Sequence, residues 1–246
     1  MTDSLQFDLN VPYIYHNSTF SSVGAGFSTS SVAEEDISNG DIGDISAGIY
    51  YRLFHETADN PDTVISLRVK APTGKDPYGI KFVEVADSGQ NLTVPTELPT
   101  GNGVWATTVG ISLLKSVDPA ILFTSLGYTY NFEKSFDDIS SDPLNISSAT
   151  IDHGDQFSIG AGIAFALNER MSLSTSYAHQ FTLKTRIRSQ GGQWQDVNGS
   201  DASSGSLNLG VTYGIANNLS MLANVAIGVT PDAPDVSIGL RFPYSF

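Results

Sequence analysis

The chain ends in the stretch Val236-Ser237-Ile238-Gly239-Leu240-Arg241-Phe242-Pro243-Tyr244-Ser245-Phe246. Its even-numbered residues are all apolar or aromatic, whereas the odd-numbered ones are Ser, Gly, Arg, Pro and Ser. Successive side chains of a β-strand point to opposite faces. The stretch therefore predicts a final strand with one apolar and one polar face, which ends on an aromatic residue.

The same alternation recurs along the chain, for example at 5–13, 157–167, 171–182 and 207–215. Alternation over about 10 residues, repeated many times, is typical of transmembrane β-strands. We predict strands at 4–15, 42–54, 63–72, 103–115, 120–132, 155–167, 170–184, 205–216, 218–229 and 235–246. Tight turns alternate with long polar loops between them, as expected when the turns lie on the periplasmic side and the loops outside.

The predicted fold is all-β: one antiparallel, up-and-down transmembrane β-barrel domain that covers residues 1–246. A second alternating pair, 80–85 and 92–98, lies within the long connector 73–102. Counting it gives twelve strands, and ten if the 80–98 hairpin is extracellular; the alternation alone leaves both open. Residues 20–29 are expected to extend the first outer loop. We also expect a signal peptide to precede this domain in the natural protein, because an exported protein needs one.

Composition narrows the function classes. The chain has 12 basic and 26 acidic residues, a formal net charge of −14, which argues against a nucleic-acid partner. It has no cysteine, so disulfides and thiolate metal sites are excluded. A soluble sandwich has strands of about 5–6 residues, shorter than those predicted here. A soluble barrel would need charged residues on its outer wall, yet only 15% of this chain is charged. We therefore expect a lipid-facing barrel in a bacterial outer membrane.

Charged residues within the predicted strands are few, and nearly all lie in the polar register: Asp8, Arg52, Arg68, Lys70, Lys184 and Arg241. Counted from the turn-side ends, several lie at comparable depth, and closure of the sheet would bring Asp8 beside Arg52 and Arg241. We expect Asp8, Arg52, Arg68, Lys70 and Arg241 to line a constriction. This ring either biases the pore toward anions or braces the wall with ion pairs. Phe242, Tyr244 and Phe246 are the expected membrane-insertion signal.

The side chains of the inward-facing register are unusually small. They include Ser158, Gly160, Gly162, Ser174, Ser176, Gly210 and Gly239. Such side chains are too small to fill the lumen of a barrel with ten or twelve strands, which leaves space for water or a plug. A pore is therefore expected.

The sequence offers little for enzymatic chemistry. Its four histidines are His16, His55, His153 and His179. His179 falls in the lipid-facing register, His55 lies in a turn, and no nucleophile motif surrounds any serine. We expect no enzyme, no cofactor and no metal site.

Several segments resemble the outer-membrane barrels of the "meta-pathway of phenol degradation" type. They are Asn10–Tyr13, Gly40–Ser46, Lys70–Gly74, Leu98–Trp105, Lys115–Pro119, Ala166–Asn168 and Thr230–Asp235. Within that group the chain is most similar to the barrel of the functional-amyloid (Fap) secretion pores. The resemblance implies a trimeric pore of twelve strands, the number we favour, that exports unfolded, amyloid-forming polypeptide subunits. It also implies a periplasmic coiled coil and a plug helix N-terminal to the barrel. The open alternative is a passive channel for small aromatic or hydrophobic solutes, and a structural or adhesive barrel is a third. Expected partners are outer-membrane lipid or lipopolysaccharide, the secreted polypeptide and two further copies of the chain.

Overall fold

A computed structural model describes residues 4–21, 34–85 and 92–244. In chain order its strands are β1 Leu5–Asn10, β2 Tyr13–Ser21, β3 Glu34–Ile42, β4 Ser46–Phe54, β5 Asp62–Lys70, β6 Phe82–Glu84, β7 Thr93–Pro95, β8 Ala106–Val117, β9 Ala120–Asn131, β10 Lys134–Phe136, β11 Ala149–Asp152, β12 Gln156–Asn168, β13 Met171–Thr182, β14 Arg186–Ser189, β15 Gln195–Asp196, β16 Ala202–Ala216, β17 Leu219–Gly228 and β18 Val236–Arg241. Within these residues, no helix is long and apolar enough to span a membrane.

Ten strands form one antiparallel sheet, in the order β1-β4-β5-β8-β9-β12-β13-β16-β17-β18. The order of the strands in this sheet is their order along the chain, with β2 and β3 set aside in a separate pair, so the predicted all-β, up-and-down fold is confirmed. The hairpin of β6 and β7 forms a separate two-stranded sheet, because strands of three residues are too short to span the wall. Among the described residues the main sheet has ten strands, whereas the number of strands in a closed barrel, ten or twelve, stays a prediction. In the described part of the chain, β1 and β18 are not paired with each other, so barrel closure stays a prediction.

The predicted strand 4–15 is interrupted at Val11 and Pro12. Proline has no N–H to donate to a neighbouring strand. Its carbonyl instead accepts a hydrogen bond from the N–H of Gly43 at 2.9 Å. After this break, β2 leaves the wall and pairs only with β3, over residues Tyr13–Ser21 and Glu34–Ile42. Part of the predicted loop extension, residues 20–29, falls on β2, and the rest lies outside the described residues.

The side chains of the ten-stranded sheet divide into two faces. One face is apolar and exposed, as shown by Leu9 at 71% and Ile238 at 82% exposure. The other face carries small polar residues; one row across five neighbouring strands reads Ser112, Ser125, Gly160, Ala178 and Ser206. We call these the apolar face and the polar face. A soluble monomer rarely exposes so large an apolar surface, so this face needs lipid or a partner to cover it.

The small buried core lies in the long loops, not in the wall. Strands β10, β11, β14 and β15 form a four-stranded sheet within the connectors after β9 and β13. Val104 (0% exposed) and Ile151 (2%) pack there with Phe136 and Ala149. The segments that alternation marked only as polar loops thus contain a packed subdomain, which we call the loop subdomain.

The last strand is shorter than predicted, since β18 ends at Arg241. The chain nevertheless continues along β17: Ser220 N–H donates to Pro243 O at 3.1 Å, and Tyr244 forms a bridge with Leu219. Phe242 and Tyr244 are both more than half exposed, in step with the apolar face. Phe246 lies outside the described residues.

Candidate functional site

Asp8 and Arg68 form the central ion pair of the polar face. Asp8 on β1 and Arg68 on β5 both lie opposite Gly48 of β4, so the two side chains meet across a residue without a side chain. Arg68 Nη2 lies 2.5 Å from Asp8 Oδ2, and the same guanidinium donates to Tyr50 Oη at 2.5 Å and Ser46 Oγ at 2.9 Å. A Cβ at Gly48 would lie 2.6 Å from Asp8 Oδ1, so glycine is what lets the pair form.

The two oxygen atoms of the Asp8 carboxylate differ in their hydrogen bonding. Asp8 Oδ1 is buried, and among residues 4–21, 34–85 and 92–244 it has no hydrogen-bond partner. Such an unpaired oxygen is uncommon, because buried polar atoms are almost always hydrogen-bonded.

Two further cations of the predicted ring have acidic partners that the sequence did not indicate. Arg52 Nε lies 3.2 Å from Asp62 Oδ2, and Lys70 Nζ lies 3.2 Å from Asp44 Oδ2. The expected contact of Asp8 with Arg52 does not form, because Asp8 lies opposite Gly48 whereas the N–H of Arg52 donates to Ser4 O. Arg52, Arg68 and Lys70 therefore mark three depths along the strands, not one ring.

Arg241 and Lys184 lie apart from these pairs. Arg241 lies opposite Leu222 at the far edge of the sheet, next to the polar residue Asn224 on the same face. The described residues provide no ion pair for Arg241. Lys184 follows the end of β13, on the side of the loops. The polar face thus carries three balanced ion pairs and one further cation.

A hydrogen-bonded hub surrounds Asp44 at the loop-side rim of the wall. The Asp44 side chain is 8% exposed and accepts hydrogen bonds from Gly74 N–H and Asn102 N–H, both at 3.1 Å, in addition to Lys70. Thr73 Oγ1 donates to Gly43 O, and Thr100 Oγ1 donates to Ile42 O. Residues 40–46, 70–74 and 98–105, which carried much of the sequence resemblance, therefore meet at one point. We call this cluster the rim hub.

The loop subdomain is closed by a lysine that is bound entirely by oxygen atoms. Lys81 Nζ lies 2.6 Å from Asp138 Oδ2, and it donates to the carbonyls of Ser140, Asp142 and Asn145 at 3.0–3.2 Å. The bond from Lys81 is the largest cause that lowers the pKa of Asp138 to about 2, and the N–H groups of Ser140 and Ser147 add to it. The carboxylate is therefore charged throughout the physiological range.

His153, one of the histidines considered from sequence, lies inside this subdomain. Its Nε2 is 3.1 Å from Tyr78 Oη, and burial lowers its pKa. Burial also raises the pKa of Tyr78 to about 12. Both groups are therefore neutral at pH 7, and the pair is a packing contact between two loops. In the described ranges no group of three or more His, Asp or Glu residues is arranged to hold a metal ion.

Comparison with known proteins finds a matching family model and distantly similar solved structures. The family model described as "Putative MetA-pathway of phenol degradation" matches residues 2–195. In-vitro folded OmpT, an outer membrane protein of Vibrio cholerae, is similar with a TM-score of 0.39 and 9% identity, over 99% of this chain and 98% of that one. Its loop L8 deletion mutant is similar with a TM-score of 0.36 and 10% identity, over 98% and 99% of the two chains.

Proposed function

Because the chain belongs to the family described as "Putative MetA-pathway of phenol degradation", we propose that it is a channel of the bacterial outer membrane. The observation that carries this proposal is the two-faced wall of ten strands. Its apolar face matches the hydrocarbon of a bilayer, and its polar face matches a hydrated passage. Closure of the sheet between β1 and β18 is part of the proposal.

The size of the side chains on the polar face supports an open passage. Through the middle of the wall this face presents Ser125, Gly160, Gly162, Ser176 and Asn208 on neighbouring strands. None of them has a long side chain that reaches across a lumen. A barrel of this size is not filled by such residues, so its interior holds water unless a separate element plugs it.

The cargo that fits this lining best is an unfolded polypeptide. An extended chain needs hydrogen-bonding partners along its backbone and few apolar surfaces to which it would adhere, and serine, asparagine and glycine provide that environment. As in the resemblance to the functional-amyloid secretion pores, we take amyloid-forming subunits as the exported polypeptide. Trimer formation and contact with lipopolysaccharide are further parts of this proposal.

A small aromatic solute is the second candidate cargo, and the family description is the observation that favours it. Most of the polar face is small and polar, but Tyr50, Leu114 and Phe123 also lie on it and could contact an aromatic ring. The two cargoes therefore predict different responses of one and the same pore.

The experiment is planar-bilayer conductance of the refolded protein, with two matched variants. Ser176→Trp places a large ring on the polar face between Gly162 and Asn208, whereas Thr175→Trp places it on the apolar face between Ile163 and Leu209. We expect steady conductance in the unmodified protein, a marked loss in Ser176→Trp and little change in Thr175→Trp. No conductance, or equal effects of the two variants, would contradict the channel.

The same pore then separates the cargoes. An unfolded amyloid-subunit peptide added to one side should produce transient current blockades that become more frequent at higher peptide concentration. Flux of phenol into protein-containing vesicles should not exceed flux into protein-free vesicles. Phenol flux that depends on the protein, without peptide blockades, would replace polypeptide export by the small-solute channel.

A further inference from the structure

Three side chains on the apolar face form a chain of hydrogen bonds. Tyr177 Oη lies 2.6 Å from Nδ1 of His179, and Ser203 Oγ lies 2.9 Å from Nε2 of the same ring. Tyr177 and His179 are on β13 and Ser203 is on β16, in the same register as the exposed residues Phe181 and Leu207. A serine, a base and a group that orients the base are the parts of a nucleophilic site.

Local packing holds the histidine in place. His179 lies opposite Gly205, where a Cβ would be 2.7 Å from Tyr177 Oη and 3.0 Å from His179 Nδ1. Glycine therefore lets both rings lie flat against β16. On the other side, the ring of Phe181 is 4.1 Å from that of His179. In the tautomer that the reaction needs, Nδ1–H donates to Tyr177 Oη, and the lone pair of Nε2 accepts the hydroxyl proton of Ser203.

An apolar groove of about 570 Å³ begins one strand away from this pair. Its walls include Val109, Leu126, Phe157, Ile159 and Phe181, and its floor is thin at Gly110 and Gly127. Ile159 is the cross-strand neighbour of His179, and Phe181 is that of Ser203, so the groove leads directly to the two reactive groups. Neighbouring strands lie about 5 Å apart. A lipid acyl chain in the groove would thus place its ester within reach of Ser203.

The Ser203–His179 pair lies at a level along the strands that corresponds to the membrane–water interface. His179 lies three residues before the loop-side end of β13 at Thr182, about 10 Å along the strand. Tyr128 and Phe157, whose ring centroids are 4.9 Å apart, form an aromatic band with Phe181 at this level, because Phe157 lies opposite both of the others. Such bands lie at the depth of lipid headgroups, where acyl esters and water meet.

We propose that Ser203 and His179 form a catalytic pair that hydrolyses fatty-acyl esters of membrane lipids, with Tyr177 as a positioning residue. The inference rests on the membrane placement of the apolar face, but it does not depend on whether the wall conducts. It assigns an enzymatic activity to a chain for which the sequence led us to expect none. The sequence missed it because Ser203 follows no nucleophile motif and lies 24 residues from His179.

The reaction follows from the two hydrogen bonds. Ser203 Oγ attacks the ester carbonyl carbon while its proton passes to His179 Nε2. When the intermediate collapses, the bond from that carbon to the alcohol oxygen breaks, and the alcohol leaves with the proton from Nε2. Water then attacks the acyl-Ser203 ester and gives its proton to Nε2. The fatty acid leaves, and Ser203 Oγ recovers the proton.

We assign the backbone N–H of Ser203, which belongs to the nucleophile's own residue, as the donor to the developing oxyanion. In the structure it donates to Asp232 Oδ2 at 2.8 Å, and the N–H of Gly205 donates to Thr230 Oγ1 at 2.7 Å. The oxyanion of the substrate replaces the Asp232 carboxylate at the Ser203 N–H. A negative charge beside an oxyanion opposes the reaction, so Asp232→Asn is expected to raise kcat.

The test uses the refolded protein in micelles and in vesicles. A fluorescent fluorophosphonate reports the reactive serine, p-nitrophenyl butyrate reports ester hydrolysis without a membrane, and fatty-acid release is measured from phosphatidylethanolamine vesicles and from vesicles that contain lipid A. Ser203→Ala and His179→Gln remove the pair. Ser204→Ala is the matched control, because Ser204 is the next residue along β16 and points to the opposite face.

We expect labelling and hydrolysis in the unmodified protein and in Ser204→Ala, with losses of roughly 100-fold or more in Ser203→Ala and His179→Gln. Tyr177→Phe should lower kcat and leave KM unchanged, as a positioning role requires. The lipid that releases fatty acid identifies the acyl source. Labelling that survives in Ser203→Ala, or no hydrolysis of any substrate, would overturn the catalytic pair. Hydrolysis of the butyrate alone would overturn the lipid substrate and the membrane placement, whereas loss of conductance alone would leave this proposal intact.

Discussion

Asp44 shows how one carboxylate can join segments that are far apart in the sequence. It binds Lys70, the N–H of Gly74 and the N–H of Asn102, so it links the end of β5 to two later loop positions. The glycines around it are required by close approach: a Cβ at Gly101 would lie 2.3 Å from Asp44 Oδ1. The family motifs at this point are therefore one contact set rather than separate turns.

Replacing Asp44 by Asn tests the rim hub. The amide of the variant still accepts a backbone hydrogen bond, but Lys70 loses its charged partner. The Asp44 side chain is only 8% exposed, so water does not replace that partner easily. We expect the free energy of unfolding to fall by about 1–3 kcal/mol. Urea titration in micelles, followed by tryptophan fluorescence, measures it. Asp41→Asn, at an exposed position, is the control and should change stability by less than about 0.5 kcal/mol.

The charge balance of the polar face predicts weak ion selectivity that a single residue sets. Arg52, Arg68 and Lys70 are each paired with an aspartate, so Arg241 provides the excess positive charge. Arg241→Gln should remove the anion preference. Arg52→Gln leaves Asp62 unpaired and should shift the preference toward cations. Reversal potentials under a salt gradient measure both changes, and Arg188→Gln in the loop subdomain is the control. Unchanged reversal potentials would show that these residues do not line the conducting path.

Strands of the wall and strands of the loops differ in how well alternation predicts them. The long strands β8, β9, β12 and β13 have 12 or 13 residues, and they agree with the predicted ranges to within three residues at each end. Strands β10, β11, β14 and β15 have two to four residues. Such short segments show no period, and their pairing depends on contacts between distant loops.

The same distinction explains which site features the sequence could indicate. Facing directions were predictable, because alternation fixes the face of Arg52, Arg68 and Leu209 whatever the partner strand. The contact partners were not predictable, because contacts depend on the register between strands. Asp8 lies opposite Gly48, four residues from Arg52 on β4, and therefore forms its ion pair with Arg68 instead of Arg52. The Ser203–His179 contact likewise depends on the register between β13 and β16, which no single segment encodes.

The loop subdomain should respond to acid through Asp138. Its pKa is lowered from 3.8 to about 2, chiefly by Lys81, so the stabilisation is complete above pH 3.8 and is lost as the pH falls through about 2. NMR amide shifts of Ser140 and Ser147 should titrate with a midpoint near 2. In Lys81→Met the midpoint should move upward toward 3.8, because the largest cause of the depression is removed. A midpoint near 3.8 in the unmodified protein would contradict the Lys81 contact.

The molecule as a whole places its apolar and polar surfaces in the opposite way to a soluble domain. Its largest apolar surface is outside, on a wall whose polar face carries glycine, serine and ion pairs. Most of the buried apolar side chains among the described residues lie in the long loops. The wall therefore depends on its solvent, whereas the loops carry their own core. Conductance, lipid contact and the proposed ester site all follow from which face meets lipid.

A pair of adjacent residues in β16 tests that orientation directly. Leu209 lies on the apolar face, 53% exposed, between Thr175 and Val225, whereas Asn208 lies on the polar face between Ser176 and Ala226. An arginine facing lipid near the middle of a bilayer costs about 2–4 kcal/mol, but one facing a hydrated lumen does not. Leu209→Arg should therefore lower the fraction folded into vesicles, measured by heat-modifiable electrophoretic mobility, while Asn208→Arg should fold normally. Asn208→Arg should instead change conductance. The reverse pattern would mean that the wall is built the other way round, with its apolar face enclosed and its polar face in water.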